Sequence, residues 1–152
     1  MPVKVQIECR TAHQNDLDTI AQVWHDSAAS SDASPGVVPL AEFRARINIE
    51  LADAWTLTVA LVEGQIVGLL ALKIADGVLD QLFVLPSAQR KGVGSLLLKQ
   101  AMDAMPAGFT LRTASMNTGA RSFYERMGLT LVSEGHHPRQ GYPICWYGWN
   151  VR

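Results

Sequence analysis

Arg90 and Lys91 stand directly before Gly92-Val93-Gly94-Ser95, where a helical pattern begins. The first N–H groups of a helix lack intrahelical partners, and the helix dipole is positive there. Glycine removes the side chains that would hold an anion away from those groups. Cations and bare amides at one helix start suit a phosphate or pyrophosphate. Tyr124 offers a different chemistry, a phenol with an unperturbed pKa of about 10 that donates a proton to a stronger base. It also fits as a core aromatic on the stripe of Phe123 and Met127. Asp80 offers a carboxylate at a strand start, either a proton acceptor or an exposed charge. His136-His137 has no cysteine or carboxylate at ligand spacing, so a polar surface loop is expected there and no metal.

The glycine pattern discriminates between phosphate sites. A P-loop needs Gly-Lys followed by Ser or Thr, whereas here Lys91 precedes Gly92. The dinucleotide pattern G-x-G-x-x-G fails at its third position, because Gly92-Val93-Gly94-Ser95-Leu96-Leu97 ends in leucine. Its acidic ribose partner is also missing, since Asp103 comes too soon and lies within the helix.

Composition bounds the remaining choices. A chain of 152 residues is expected to form one domain, residues 1–152, with a core of its own. Apolar residues make up 48% and charged residues 18%, which predicts a folded globular chain. The net charge of −1 gives no overall attraction to nucleic acid or an anionic membrane. No apolar run reaches the roughly 18 residues of a membrane span. Met1-Pro2-Val3-Lys4 lacks a secretory signal's apolar core, and Cys9 and Cys145 form no C-x-x-C, so a cytoplasmic protein with reduced thiols is expected.

Periodicity supplies the elements that must position these groups. Val3 to Arg10 alternates as a half-buried strand. Asn15 or Asp16 caps a helix in which Leu17, Ile20, Ala21 and Trp24 share a face, with Trp24 in the core. Ser27 to Pro39 reads as a loop, long enough to be functional or else a mobile surface connection. Leu40, Phe43, Ile47 and Leu51 mark a second helix. Three strands follow, Thr56–Val62, Gln65–Ile74 and Val78–Leu85, as an antiparallel meander. Glu63-Gly64 breaks the first pair, and Asp76-Gly77 is the stronger hairpin signal, with positive φ at both positions. Val93, Leu97, Ala101 and Ala104 stripe a third helix, ended by Pro106 and Gly108. Phe109–Thr113 is a strand parallel to Val78–Leu85, because a strand–helix–strand unit crosses over right-handed. Asn117 caps a fourth helix that Gly128 ends. Leu129–Ser133 and Tyr142–Val151 are the last strands, around a polar loop at Glu134–Gly141. Trp146 faces opposite to Tyr147 and Trp149.

Gln89-Arg90-Lys91-Gly92-Val93-Gly94 resembles the Q/R-x-x-G-x-G/A signature of the GNAT superfamily of N-acetyltransferases. The likeness extends upstream to Leu82-Phe83-Val84 and downstream through Asn117 to Leu129, together about a third of the chain. It implies an α/β fold of the α+β type, a mixed sheet of about seven strands flanked by about four helices. The order β-α-α-β-β-β-α-β-α-β-β agrees. It also implies acetyl-coenzyme A as co-substrate and an amine acceptor, while the charge balance and the lack of a long apolar run predict no nucleic acid or membrane partner. The acceptor is expected to be a primary amine on a small molecule, an amino acid or a protein N-terminus. The aromatic last strand would suit a homodimer.

Residue by residue, the resemblance implies that Gln89, Arg90, Lys91, Gly92, Val93, Gly94 and Ser95 hold the pyrophosphate. Two parallel strands splay apart, and the backbone of Leu82, Phe83 and Val84 then bonds the pantetheine arm, as in strand addition. The Val84 N–H would polarise the thioester carbonyl. Asn117 would both cap its helix and touch the coenzyme. Tyr124 would protonate the departing thiolate. Asp80 is expected on the same strand face as Leu82 and Val84, accepting the amine proton through water. A rival reading is a non-catalytic acyl-coenzyme A sensor on the same fold, which would need no acid at the thioester.

Overall fold

The computed structural model describes residues 6–30, 36 and 38–151. In chain order they form β1 (Ile7–Thr11), α1 (Leu17–Ala29), α2 (Leu40–Asp53), β2 (Thr56–Val62), β3 (Gln65–Lys73), β4 (Val78–Val84), α3 (Val93–Ala104), β5 (Phe109–Ala114), α4 (Thr118–Arg126), β6 (Thr130–His136) and β7 (Pro143–Trp149). This is the order expected from periodicity. The seven strands make one sheet in the order β1-β2-β3-β4-β5-β7-β6. Only β4 and β5 run parallel, as the crossover through α3 requires.

Alternation divides the apolar residues between two cores. Leu57, Val59 and Leu61 of β2 and Leu69 and Ala71 of β3 meet α1 and α2 through Ile20, Trp24, Phe43 and Ile47. On the other face, Leu70 and Leu72 of β3 and Leu111 of β5 meet Val93, Leu97, Leu98 and Ala101 of α3 and Tyr124 of α4. Gly68 sets how closely α3 approaches. A β-carbon there would stand 3.1 Å from Leu97 Cδ1 and 3.3 Å from Val93 Cγ1. The start of α3 is thereby pressed against the strand next to β4.

Some boundaries differ from the periodic reading. The first strand is described from Ile7, and Val3, Lys4 and Val5 lie outside the described residues. The first helix continues through Ala29, two residues past the expected loop start at Ser27. Ser27 is tolerated because its hydroxyl donates to Val23 O at 2.6 Å inside the helix. The two turns exchange character. Glu63 and Gly64 both have positive φ, 51° and 77°, and close the tight hairpin. Asp76 instead belongs to a 3-10 turn over Ile74–Asp76, and Gly77 alone takes the left-handed conformation, at φ 65°. The sixth strand extends to His136, which pairs with Pro143. Ala104 is exposed, and Met105 is buried in its place.

The sheet forks at its centre. β4 and β5 are paired at Val78 and Thr110 alone, whereas β3 stays on β4 as far as Val84. From Leu79 onward the β5-facing edge of β4 is paired with no strand among the described residues.

Candidate active site

The open edge of β4 can be read amide by amide. Leu85 N–H donates to Val67 O at 2.8 Å, on the β3 side. Alternation then turns the Phe83 N–H toward β3 as well, where Phe83 faces Leu69. The amides of Leu82 and Val84 point the other way, into the gap. Phe83 therefore departs from the expectation that all three amides line it. Its side chain belongs to the core of α1 and α2, whereas Leu82 and Val84 pack against the core of α3 and α4. At the mouth, Gln89 donates through Nε2 to Val84 O at 3.2 Å. Gln89 thus engages the strand edge.

The loop after β4 alternates handedness, with φ of 65° at Arg90 and 87° at Gly92 but not at Lys91. Such alternation gathers successive N–H groups into a concavity that favours an anion. The first helical bond of α3 runs from Leu96 N–H to Gly92 O at 3.0 Å. The N–H groups of Val93, Gly94 and Ser95 precede it and have no partner among the described residues. Arg90 and Lys91 are exposed beside them, and neither makes an ion pair among the described residues.

The fourth helix is fixed to this corner. Asn117 caps it, its Oδ1 accepting from Ala120 N–H at 3.2 Å. The Phe123 ring lies against Gly94, at 3.4 Å from where a β-carbon would be. Arg121 donates to the Tyr147 hydroxyl at 3.0 Å and to Ser115 O at 3.2 Å, and Tyr147 donates to Glu125 at 2.9 Å. This network ties both ends of α4 to the sheet. The Tyr124 ring is 8% exposed and packs on Phe123 and Tyr147. Its hydroxyl has no hydrogen-bond partner among the described residues, yet no sealed side-chain oxygen among them is left unbonded. The residue is therefore largely buried, and its hydroxyl is unbonded without being fully sealed. Burial raises its pKa well above the usual phenol value, so the group stays protonated.

Asp80 is not on the face shared by Leu82 and Val84. Ala71 faces Gln81 and Leu72 faces Leu79, so Asp80 is the extra residue of a β-bulge. The bulge resets parity and turns its side chain toward α2. Its Oδ2 accepts from Trp55 Nε1 at 2.7 Å, with Arg46 at 3.8 Å and Lys73 at 4.0 Å. Its Oδ1 has no partner among the described residues. Asp80 thus sits at the fork on the side opposite to Tyr124. Periodicity alone gives no sign of the bulge, nor of the aromatic wall of Trp24, Trp55 and Phe83 beside it.

Two hollows lie near the two ends of β5. One of about 480 Å³, lined by Ser115, Glu134, Gly135, His136, Pro143 and Ile144, lies past the C-terminal end of β5, where the fork is open. The other, about 670 Å³, is lined by Asp76, Gly77, Phe109 and Thr110 at the closed end, away from Tyr124 and the α3 loop. His137 turns the β6–β7 loop, its Nδ1 accepting from the N–H groups of Arg139 and Gln140 at 3.2 and 3.1 Å. No helix among the described residues is long and apolar enough to cross a membrane.

Comparison with solved structures finds the same fold in many proteins. A GCN5-related N-acetyltransferase from Rhodopseudomonas palustris is 18% identical, with TM-score 0.78 and 99% of each chain covered. The apo form of YjaB from Escherichia coli is 23% identical, with TM-score 0.72 and coverage of 95% of this chain and 97% of that one. The putative acetyltransferase yncA from Salmonella typhimurium, solved with its cofactor acetyl-CoA, is 14% identical, with TM-score 0.72 and coverage of 94% and 92%. The family model for the acetyltransferase (GNAT) family matches residues 21–129, which span the fork, the amide-lined loop and Tyr124. The chain belongs to the GNAT acetyltransferase family.

Proposed function

We propose that residues 1–152 work as one domain that moves the acetyl group of acetyl-coenzyme A to a primary amine, by direct attack in a ternary complex. The fork carries this reading. The Leu82 and Val84 amides face an unpaired strand edge that leads to the amide-lined start of α3. A pantetheine arm adds to such an edge as an extended strand would, through its own amides. Val93, Gly94 and Ser95 receive the diphosphate with Arg90, Lys91 and the left-handed Gly92 around it. Asn117 holds α4 in place and stands within the same corner.

The chemistry then needs a donor on each side. Val84 N–H stabilises the thioester oxygen as negative charge develops there. The neutral amine attacks, the C–N bond forms and the C–S bond breaks. Tyr124 gives its proton to the departing sulfur. The apolar surroundings that keep the phenol protonated also penalise a bare thiolate, so the two are matched for transfer. Asp80, through its unengaged Oδ1, takes the amine proton by way of water. Positioning two substrates at one fork supplies roughly 7–11 kcal/mol of the barrier reduction.

The test is a screen of primary amines with acetyl-coenzyme A, read by thiol release and by mass of the acetylated product. Turnover with at least one amine class is expected. Tight binding of acetyl-coenzyme A without thiol release from any amine would favour the non-catalytic sensor instead.

A further inference from the structure

The acceptor side of the fork carries an arginine that acetyl transfer does not itself require. Arg46 of α2 lies over the Trp24 ring, with its guanidinium carbon 5.4 Å from the ring centroid. Trp24 in turn packs on Trp55 and Phe83, at centroid separations of 5.6 and 6.5 Å. The guanidinium is thus held on the aromatic wall beside β4. Its closest anions among the described residues are Asp80 Oδ2 at 3.8 Å and Glu50 Oε1 at 4.0 Å, both beyond hydrogen-bond distance.

Three other arginines are engaged more tightly. Arg10 is 2.7 Å from Asp16, Arg44 is 2.6 Å from Asp18, and Arg121 is 3.0 Å from the Tyr147 hydroxyl. The two carboxylates near Arg46 also have closer partners of their own. Lys73 Nζ stands 3.4 Å from Glu50, and Trp55 Nε1 stands 2.7 Å from Asp80. Arg46 has five N–H donors, makes no hydrogen bond among the described residues, and is 49% exposed along its side chain. The cation–π contact holds the guanidinium near the ring and leaves its donors open. That is a ready fork for a planar oxyanion.

We propose that Arg46 binds a carboxylate on the acceptor, so that the acceptor class is a small amine bearing a carboxylate near the amine. The proposal rests on the acetyltransferase reading above. Asp80 presents its unengaged Oδ1 to the amine, and Arg46 stands 3.8 Å from the same carboxyl group. Amine and carboxylate would then bind side by side, each against its opposite, as on an α-amino acid.

The test compares α-amino acids with the matching amino-acid amides and decarboxylated amines, using the full chain and acetyl-coenzyme A. Each kcat/KM is expressed per unprotonated amine, because losing the carboxylate also changes the amine pKa. The acids should be preferred at least tenfold, as expected for a charge-assisted contact. Arg46→Ala should raise KM for the acids at least tenfold, leave KM for acetyl-coenzyme A unchanged, and bring the acid-to-amide ratio near one. Arg46→Lys, which keeps the charge but not the planar fork, should fall between. Circular dichroism checks that each variant folds. If Arg46→Ala does not, the wild-type ratio and the lysine variant decide. Acids no better than amides in the wild type, or a preference that survives in a folded Arg46→Ala, would overturn the proposal while leaving the acetyltransferase reading intact. Failure to transfer acetyl to any probe would defeat both.

Discussion

Replacing Tyr124 by Phe removes one oxygen and little else. The ring is 8% exposed and rests on Phe123 and Tyr147, at centroid distances of 5.5 and 6.0 Å, contacts that Phe keeps. The hydroxyl bonds to nothing among the described residues, so its loss strands no partner. The stability change should therefore stay within about 0.5 kcal/mol, as for a substitution that breaks no buried contact. Catalysis should respond differently. A positioned general acid contributes roughly 10²–10⁴ in rate. Here the hydroxyl is not fully sealed, so a water reaching the same place can deliver a proton once it is gone. The loss should fall at or below the lower limit of that range, about ten- to a hundredfold in kcat, or about 1.4–2.7 kcal/mol. Coenzyme A affinity should hold, because no part of the phosphate concavity involves the phenol. Thiol-release kinetics give kcat, calorimetry gives affinity and a thermal melt gives stability. A kcat within twofold of wild type would remove Tyr124 from the mechanism. A large fall in stability with unchanged chemistry would make it a core aromatic only.

Gly92→Val places a β-branched residue at φ 87°, where left-handed backbone costs roughly 1–2 kcal/mol, although its β-carbon would meet nothing within 4 Å. The fold should survive while coenzyme A affinity falls at least tenfold by calorimetry, and normal affinity would contradict the phosphate assignment. Because burial raises the Tyr124 pKa above the ordinary phenol value, the acid stays loaded to high pH. The pH–rate profile should rise with amine deprotonation and show no descending limb below about pH 10, and a limb near neutrality that vanishes in Tyr124→Phe would refute this. Asp80→Asn keeps an oxygen for Trp55 Nε1 but removes the proton acceptor. Its kcat/KM should drop at least tenfold at neutral pH and recover as the amine deprotonates unaided, whereas a pH-independent loss would mark Asp80 as a structural anchor.

The sequence made the element order legible because its apolar spacing follows the two cores closely. Val93, Leu97 and Ala101 are buried as their spacing requires, and so are Leu57, Val59 and Leu61. The glycine turn into α3 was legible too, since Gly92 takes the left-handed conformation at that helix start. What periodicity missed depends on partners distant in the chain. The bulge at Asp80 exists only against Leu72 and Ala71 of the neighbouring strand, and it reverses the face on which the carboxylate lies. The Phe83 amide is claimed by β3, which no property of Leu82-Phe83-Val84 itself reveals. Arg46 gains its setting from Trp24, on a different helix. The turn at Asp76-Gly77 has a local sequence suited to a hairpin, but the chain takes a 3-10 turn there and leaves the tight hairpin to Glu63-Gly64.

The most direct test of the forked-sheet account is an amide chemical-shift titration of the labelled protein with coenzyme A. The account predicts that the largest shifts fall on Leu82, Val84 and Val93 to Ser95, with Phe83 and the hollow at Asp76 and Thr110 moving little. Saturable binding with its largest shifts at that distant hollow, or no shifts at millimolar coenzyme A, would contradict it.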